Sequence, residues 1–176
     1  MKKQIIILSI IITGLSFSYQ SCKKDETKTQ QSTTPSEFIA DDNSFKDFMG
    51  WSMQGTFNGP DPLLGAMAHA NNDSTVVRHV YFKNGQDRVN GKFPVGTIIV
   101  KHSTNPTGTV NEFTAMVKRG NNFNSSAGDW EFFMLKSDGT IAKDTSGMVM
   151  RGANLMGGMC GGCHSGASSK DYIFSK

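Results

Sequence analysis

Five consecutive residues near the C-terminus, Cys160-Gly161-Gly162-Cys163-His164, place two thiols and an imidazole at fixed spacing. Such a pair of thiols has four common uses: a disulfide, half of a tetrahedral zinc site, a redox dithiol, or addition across the two vinyl groups of a haem. In the last case the adjacent histidine ligates the iron. Zinc needs a second pair of ligands, and His69, His79 and His102 do not offer one at ligand spacing. A thioredoxin-like dithiol opens a helix after an early strand, whereas this pair closes the chain. The favoured reading is a single covalent haem c, held by Cys160 and Cys163, with His164 as proximal ligand of the iron.

The segment before the motif suits such a partner. From Gly147 to Cys163 it carries Met148, Met150, Met156 and Met159 among five glycines after Gly147. Glycine lets backbone approach a flat cofactor closely, and methionine packs softly against aromatic surface. One of these methionines as sixth iron ligand would make an electron-transfer cytochrome. All four lie so near His164 in sequence that reaching the opposite haem face is awkward. Only 12 residues follow His164, so whatever covers that face comes from upstream.

The upstream elements read as sheet. Residues 75–83 (TVVRHVYFK) are β-branched and aromatic and stop at the turn dipeptide Asn84-Gly85. A second run covers 97–102. A third, 109–119, alternates, with Phe113, Ala115 and Val117 on one face and Glu112, Thr114 and Lys118 on the other. Residues 129–136 (DWEFFMLK) lead to the turn Ser137-Asp138-Gly139, and 140–143 begin a shorter return strand. An opening helix is expected from Asp41, Asp42 and Ser44 as caps with Phe45, Phe48 and Met49 at helical spacing. Residues 51–72 read as loop with one short helical turn. The expected class is α+β: an antiparallel meander of about five strands, with an N-terminal helix and a C-terminal haem-binding helix or loop.

The N-terminus reads as a targeting segment. Lys2 and Lys3 precede an apolar run too short to span a membrane comfortably, the order of a secretory signal over residues 1–21. Cys22 follows Ser21 and precedes hydrophilic Lys23 to Glu26, resembling a bacterial lipoprotein site in which the cysteine takes the lipid. Residues 22–37 carry no apolar side chain after Cys22 and read as a flexible linker, with the folded domain over 38–176. The chain is therefore expected in the bacterial cell envelope, lipid-anchored, facing either the periplasm or the outside. Three cysteines are thus all accounted for without a structural disulfide. Removing the leader takes two of 18 basic groups and no acidic ones, leaving 16 against 15. With no dense basic cluster in the remainder, nucleic acid is an unfavoured partner.

The terminal CGGCH, together with GKFPVGTIIVKH (91–102), MVKRG (116–120), DWEFFMLKSDG (129–139), Trp51, His69 and the Arg78-containing strand, resembles the cytochrome P-460 family, which includes the β-type c-prime cytochromes. The resemblance implies an antiparallel-sheet haem protein that dimerises through its sheet, with a five-coordinate iron open on the distal side. Members that cross-link a lysine to the haem oxidise hydroxylamine and pass electrons to a partner cytochrome. Related c-prime members bind nitric oxide without turnover. Lys101 occupies the cross-linking position; alternation groups it with Ile99, opposite Val100 and His102, and its other reading is a solvent-facing strand lysine. Glu131 reads as a proton-accepting base or as an exposed strand glutamate. Arg78 reads as a hydrogen-bond donor to a bound ligand or as a partner of a haem propionate. Phe113, Phe123 and Phe133 read as caps over the iron or as core.

Overall fold

The computed structural model describes residues 36–59 and 74–175. The expected leader, Cys22, most of the expected linker, and His69 lie outside the described residues. Glu37, the last residue assigned to the linker, is already tied to the domain. It bridges Gly120 across an isolated β-pair and accepts a 2.8 Å bond from Arg119 Nε.

Six antiparallel strands follow one another across the sheet in chain order: β1 (Ser52–Asn58), β2 (Val77–Phe82), β3 (Ile98–Thr104), β4 (Asn111–Lys118), β5 (Trp130–Leu135) and β6 (Arg151–Gly152). Only β3 and β4 are joined by a short turn, residues 105–110, yet strands consecutive in the chain still pair as neighbours, which makes the sheet a meander. The four middle strands match the alternating runs of the sequence. β1 does not: the glycine and polar residues of 52–58 suggested loop, yet the segment pairs with β2 from Ser52↔Phe82 to Asn58↔Val77, with an irregularity between Met53 and Gly55. It is an edge strand, exposed over most of its length, so pairing rather than burial makes it a strand. The return strand expected at 140–143 is reduced to single bridges, Leu135↔Ile141 and Lys143↔Val149.

The expected opening helix is instead two 3₁₀ turns, Asp42–Phe45 and Phe48–Gly50. The first has the cap the sequence advertised: Asp41 accepts from Ser44 N at 2.9 Å while Asp41 N donates to Ser44 Oγ at 2.9 Å. The Ser44 hydroxyl bond holds the Asp41 carboxyl below its ordinary value. Asp47 takes a left-handed conformation, φ 56°, and stops the helix from continuing.

Direct cross-strand partners share a face, so the register divides the side chains in two. One face presents Ile98, Val100, Phe113, Ala115, Val117 and Phe133 to the opening turns, where Phe45 meets Phe133 with ring centroids 5.0 Å apart. Phe48 packs edge-on against Trp51, Tyr81 and Phe113. The other face presents Val80, Phe82, Ile99, Met116, Trp130 and Phe132, covered by the C-terminal segment through Leu155, Cys160, Tyr172 and Ile173.

Candidate haem site

The CxxCH residues form one short helix, α1 (Met159–His164), between 3₁₀ turns at Leu155–Gly158 and Ser165–Lys170. Both thiols are free and half-buried. The helix lies close to the sheet: a Cβ at Gly161 would sit 3.7 Å from both the Ala127 methyl and the Phe132 ring. Burial pushes the Cys160 thiol pKa up, and the neighbouring Cys163 adds to this, while the Lys101 cation acts in the opposite sense.

His164 is held on three sides. Its ring lies between Phe132 and Phe174, centroids 5.6 and 5.5 Å away. Its Nδ1 is 2.7 Å from the carbonyl oxygen of Tyr172. A carbonyl can only accept, so Nδ1 carries the proton and donates it there, which makes Nε2 the nitrogen whose lone pair suits a metal.

Lys101 stands in a half-buried row on the same sheet face as α1, with Val80 and Thr114 directly opposite on the flanking strands and Met134 beyond. Alternation does group it with Ile99 and away from Val100 and His102. Arg78, 8% exposed, heads the adjacent row, where it faces Ser103, which faces Glu112 in turn. The Ser103 hydroxyl is buried without a hydrogen-bond partner among the described residues.

Glu131 is separated from this group. It projects from the other face, opposite Val117, where it is 1% exposed. Arg151 grips it through Nε at 2.7 Å and Nη2 at 2.9 Å, and Arg119 Nη1 stands 3.4 Å away. It is neither an exposed strand glutamate nor a base facing α1; it is a buried anion joining two arginines. Phe113 and Phe133 also belong to the other face and its core. Phe123 is half-buried beneath the Arg119 guanidinium, 4.0 Å from its ring centroid. His79 and His102 face each other across β2 and β3 on the side away from α1. Met148, Met156 and Met159 are exposed, while Met150 packs against the cluster beneath the C-terminal segment.

Two residues on the α1 side were missed in the sequence. Phe57 of β1 stands opposite Arg78, but its strand was read as loop. Glu112 is the second carboxylate of the six strands and the one on the same face as Lys101; the 109–119 alternation set it on the face opposite Phe113, but only the β3–β4 register joins that face to Lys101.

A short helix presenting two thiols and a tautomerically fixed imidazole to an apolar sheet face that also carries Lys101, Arg78 and Lys118 defines a haem-binding β-sheet protein. The chain belongs to the cytochrome P460 family, whose model, Cytochrome P460, matches residues 47–175; it is a haem cytochrome, with iron. No curated protein and no solved structure matches the chain significantly. The residues present fit the group: two thiols outside any disulfide, an imidazole whose Nδ1 is the protonated nitrogen, apolar Phe132 and Met116 on the sheet face that α1 covers, and a buried hydroxyl and guanidinium suited to polar atoms.

Proposed function

We propose that the protein is an exported mono-haem c-type cytochrome that oxidises hydroxylamine or a related small nitrogen compound at an open side of its haem. Cys160 and Cys163 would hold the haem through thioether links, His164 would ligate its iron, and Lys101 would be the residue that cross-links to the haem ring. The observation that carries this reading is the position of Lys101: half-buried on the α1 face of the sheet, directly opposite apolar Val80. Neither a solvent-facing lysine nor a lysine of the opposite face would meet these conditions.

When bound, the haem supplies an iron that takes electrons from the substrate and releases them to a partner cytochrome. The chain supplies proton handling and binding. Glu112 replaces Glu131 as the carboxylate that accepts protons, because it is the strand glutamate on the correct face. Arg78 and Ser103 offer donors to a haem propionate or a bound ligand. Attachment of haem c takes place outside the cytoplasm, which agrees with the leader at residues 1–21; lipid attachment at Cys22 and the linker that follows would hold the domain at the envelope. A homodimer through the sheet belongs to the same reading.

The visible spectrum of the oxidised and dithionite-reduced protein, beside Lys101→Ala, tests it. A strongly red-shifted ferrous band that disappears in the variant is expected. The same ordinary five-coordinate spectrum in both proteins contradicts the cross-link and favours capture of nitric oxide without turnover. A low-spin six-coordinate spectrum points instead to electron transfer.

A further inference from the structure

We propose that the buried ion pair Lys118–Asp171 positions the axial histidine and sets how firmly His164 stays on the iron when a gas binds opposite it. The proposal rests on the reading of His164 as the axial ligand.

Lys118 Nζ lies 2.7 and 2.8 Å from the two oxygens of Asp171, with both side chains under one-tenth exposed. Burying two charges gives little net stability, because desolvation offsets their attraction, so such a pair is better explained by the geometry it imposes. Here the geometry is that of the turn at Asp171 and Tyr172. Both are non-glycine residues at positive φ, 52° and 65°, a conformation that persists only when surroundings enforce it.

The surroundings do so at nearly every polar group. The Asp171 carboxylate also accepts from Phe93 N at 2.7 Å, and its carbonyl accepts from Trp130 Nε1 at 2.8 Å. Tyr172 N donates to Ala167 O at 2.8 Å, and its hydroxyl donates to Ser126 O at 3.1 Å. Its ring leaves no room for a Cβ at Gly128, which would come within 2.7 Å. One group of the turn faces the site: the Tyr172 carbonyl, which takes the His164 Nδ1 proton at 2.7 Å.

That bond raises the basicity of the ring and fixes its orientation. If the Lys118–Asp171 pair is broken, the turn relaxes, the carbonyl retreats from Nδ1, and Nε2 becomes a weaker donor to iron. Lys118 and Asp171 are therefore positioning residues, acting through Trp130 and Tyr172 on a ligand they do not touch.

The test uses the haem-loaded protein, comparing wild type with Asp171→Asn and Trp130→Phe, and with Glu131→Gln as a control that disturbs a buried ion pair on the other face. Resonance Raman of the ferrous form reads the iron–histidine stretch, and nitric oxide added to the reduced protein reads the proportion of five-coordinate nitrosyl. The expected result is a shift to lower frequency and a larger five-coordinate fraction in Asp171→Asn, the same changes to a smaller extent in Trp130→Phe, and neither in Glu131→Gln. Variants that fold by circular dichroism but keep both wild-type signals would overturn the proposal. If Asp171→Asn does not fold, Trp130→Phe decides by the same two readings. Haem staining of a denaturing gel separates the proposal from its premise: an unstained wild type overturns the attachment reading and the proposal with it, whereas a stained wild type with unchanged variants overturns the proposal alone.

Discussion

Glu112 and Glu131 are both strand glutamates, and the difference between them is one of parity. Glu131 stands one position out of step with Trp130 and Phe132, so it shares a face with Val117 rather than with Met116. The sequence contained this information in the 129–136 run, but aromatic residues on both sides of Glu131 concealed which face was which: Trp130, Phe132 and Phe133 are all buried. The two glutamates should respond in opposite ways. Glu112→Gln is expected to lower hydroxylamine turnover by roughly 10² to 10⁴-fold, the range of a lost general base, with little change in thermal stability. Glu131→Gln removes the charge that joins Arg151 and Arg119, whose side chains are 23% and 19% exposed. With the arginines partly solvated, the cost falls at the low end for a broken buried pair, about 3 kcal/mol, or a fall in Tm on the order of 10 °C, with the visible spectrum unaltered. Steady-state kinetics and thermal melts of the two variants check this directly.

At the scale of elements, the strands of highest β-branched and aromatic content and the C-terminal helix at the CxxCH motif were legible, while the form of the opening helix was not. β2 to β5 follow their alternation to within a few residues because both faces are packed and a one-residue slip would expose a core. β1 was illegible because only Thr56 and Phe57 of its seven residues favour a strand; it exists by pairing with β2 at the sheet edge. The opening helix was overread because a good capping box and three spaced apolar residues also fit two 3₁₀ turns, once Asp47 turns left-handed. The turn after β5 was legible from Ser137-Asp138-Gly139, and its glycine has a function beyond turning. Gly139 lies at φ 84°, and a Cβ there would fall 2.6 Å from the Phe45 carbonyl oxygen. Gly139→Ala should therefore combine a strained backbone with a clash against main chain and lose about 2 kcal/mol, measured as a lower denaturant midpoint at unchanged m-value.

At the scale of the whole molecule, the sheet separates two tasks. One face, against the opening turns, is an aromatic core anchored by Phe45, Phe48 and Phe133. The other carries the site, with α1 and the C-terminal turn over one part and the Lys101 and Arg78 rows beside it. The motif at the C-terminus was legible because its chemistry is written in five residues. What surrounds it was legible only in part: alternation put Lys101 with Ile99 and Glu112 opposite Phe113, but which face carries the site, and the Lys118–Asp171 pair, depend on strand register and a left-handed turn that no local pattern specifies. The central claim is that this architecture serves a haem covalently bound through Cys160 and Cys163. The most direct test is the intact mass, under denaturing conditions, of the protein purified from cells competent for haem c attachment, beside the Cys160→Ala/Cys163→Ala double variant. The account predicts a wild-type chain heavier by one haem and a double variant without it. A wild-type chain with the mass of bare polypeptide, or lighter by the hydrogens of a Cys160–Cys163 disulfide, would contradict it.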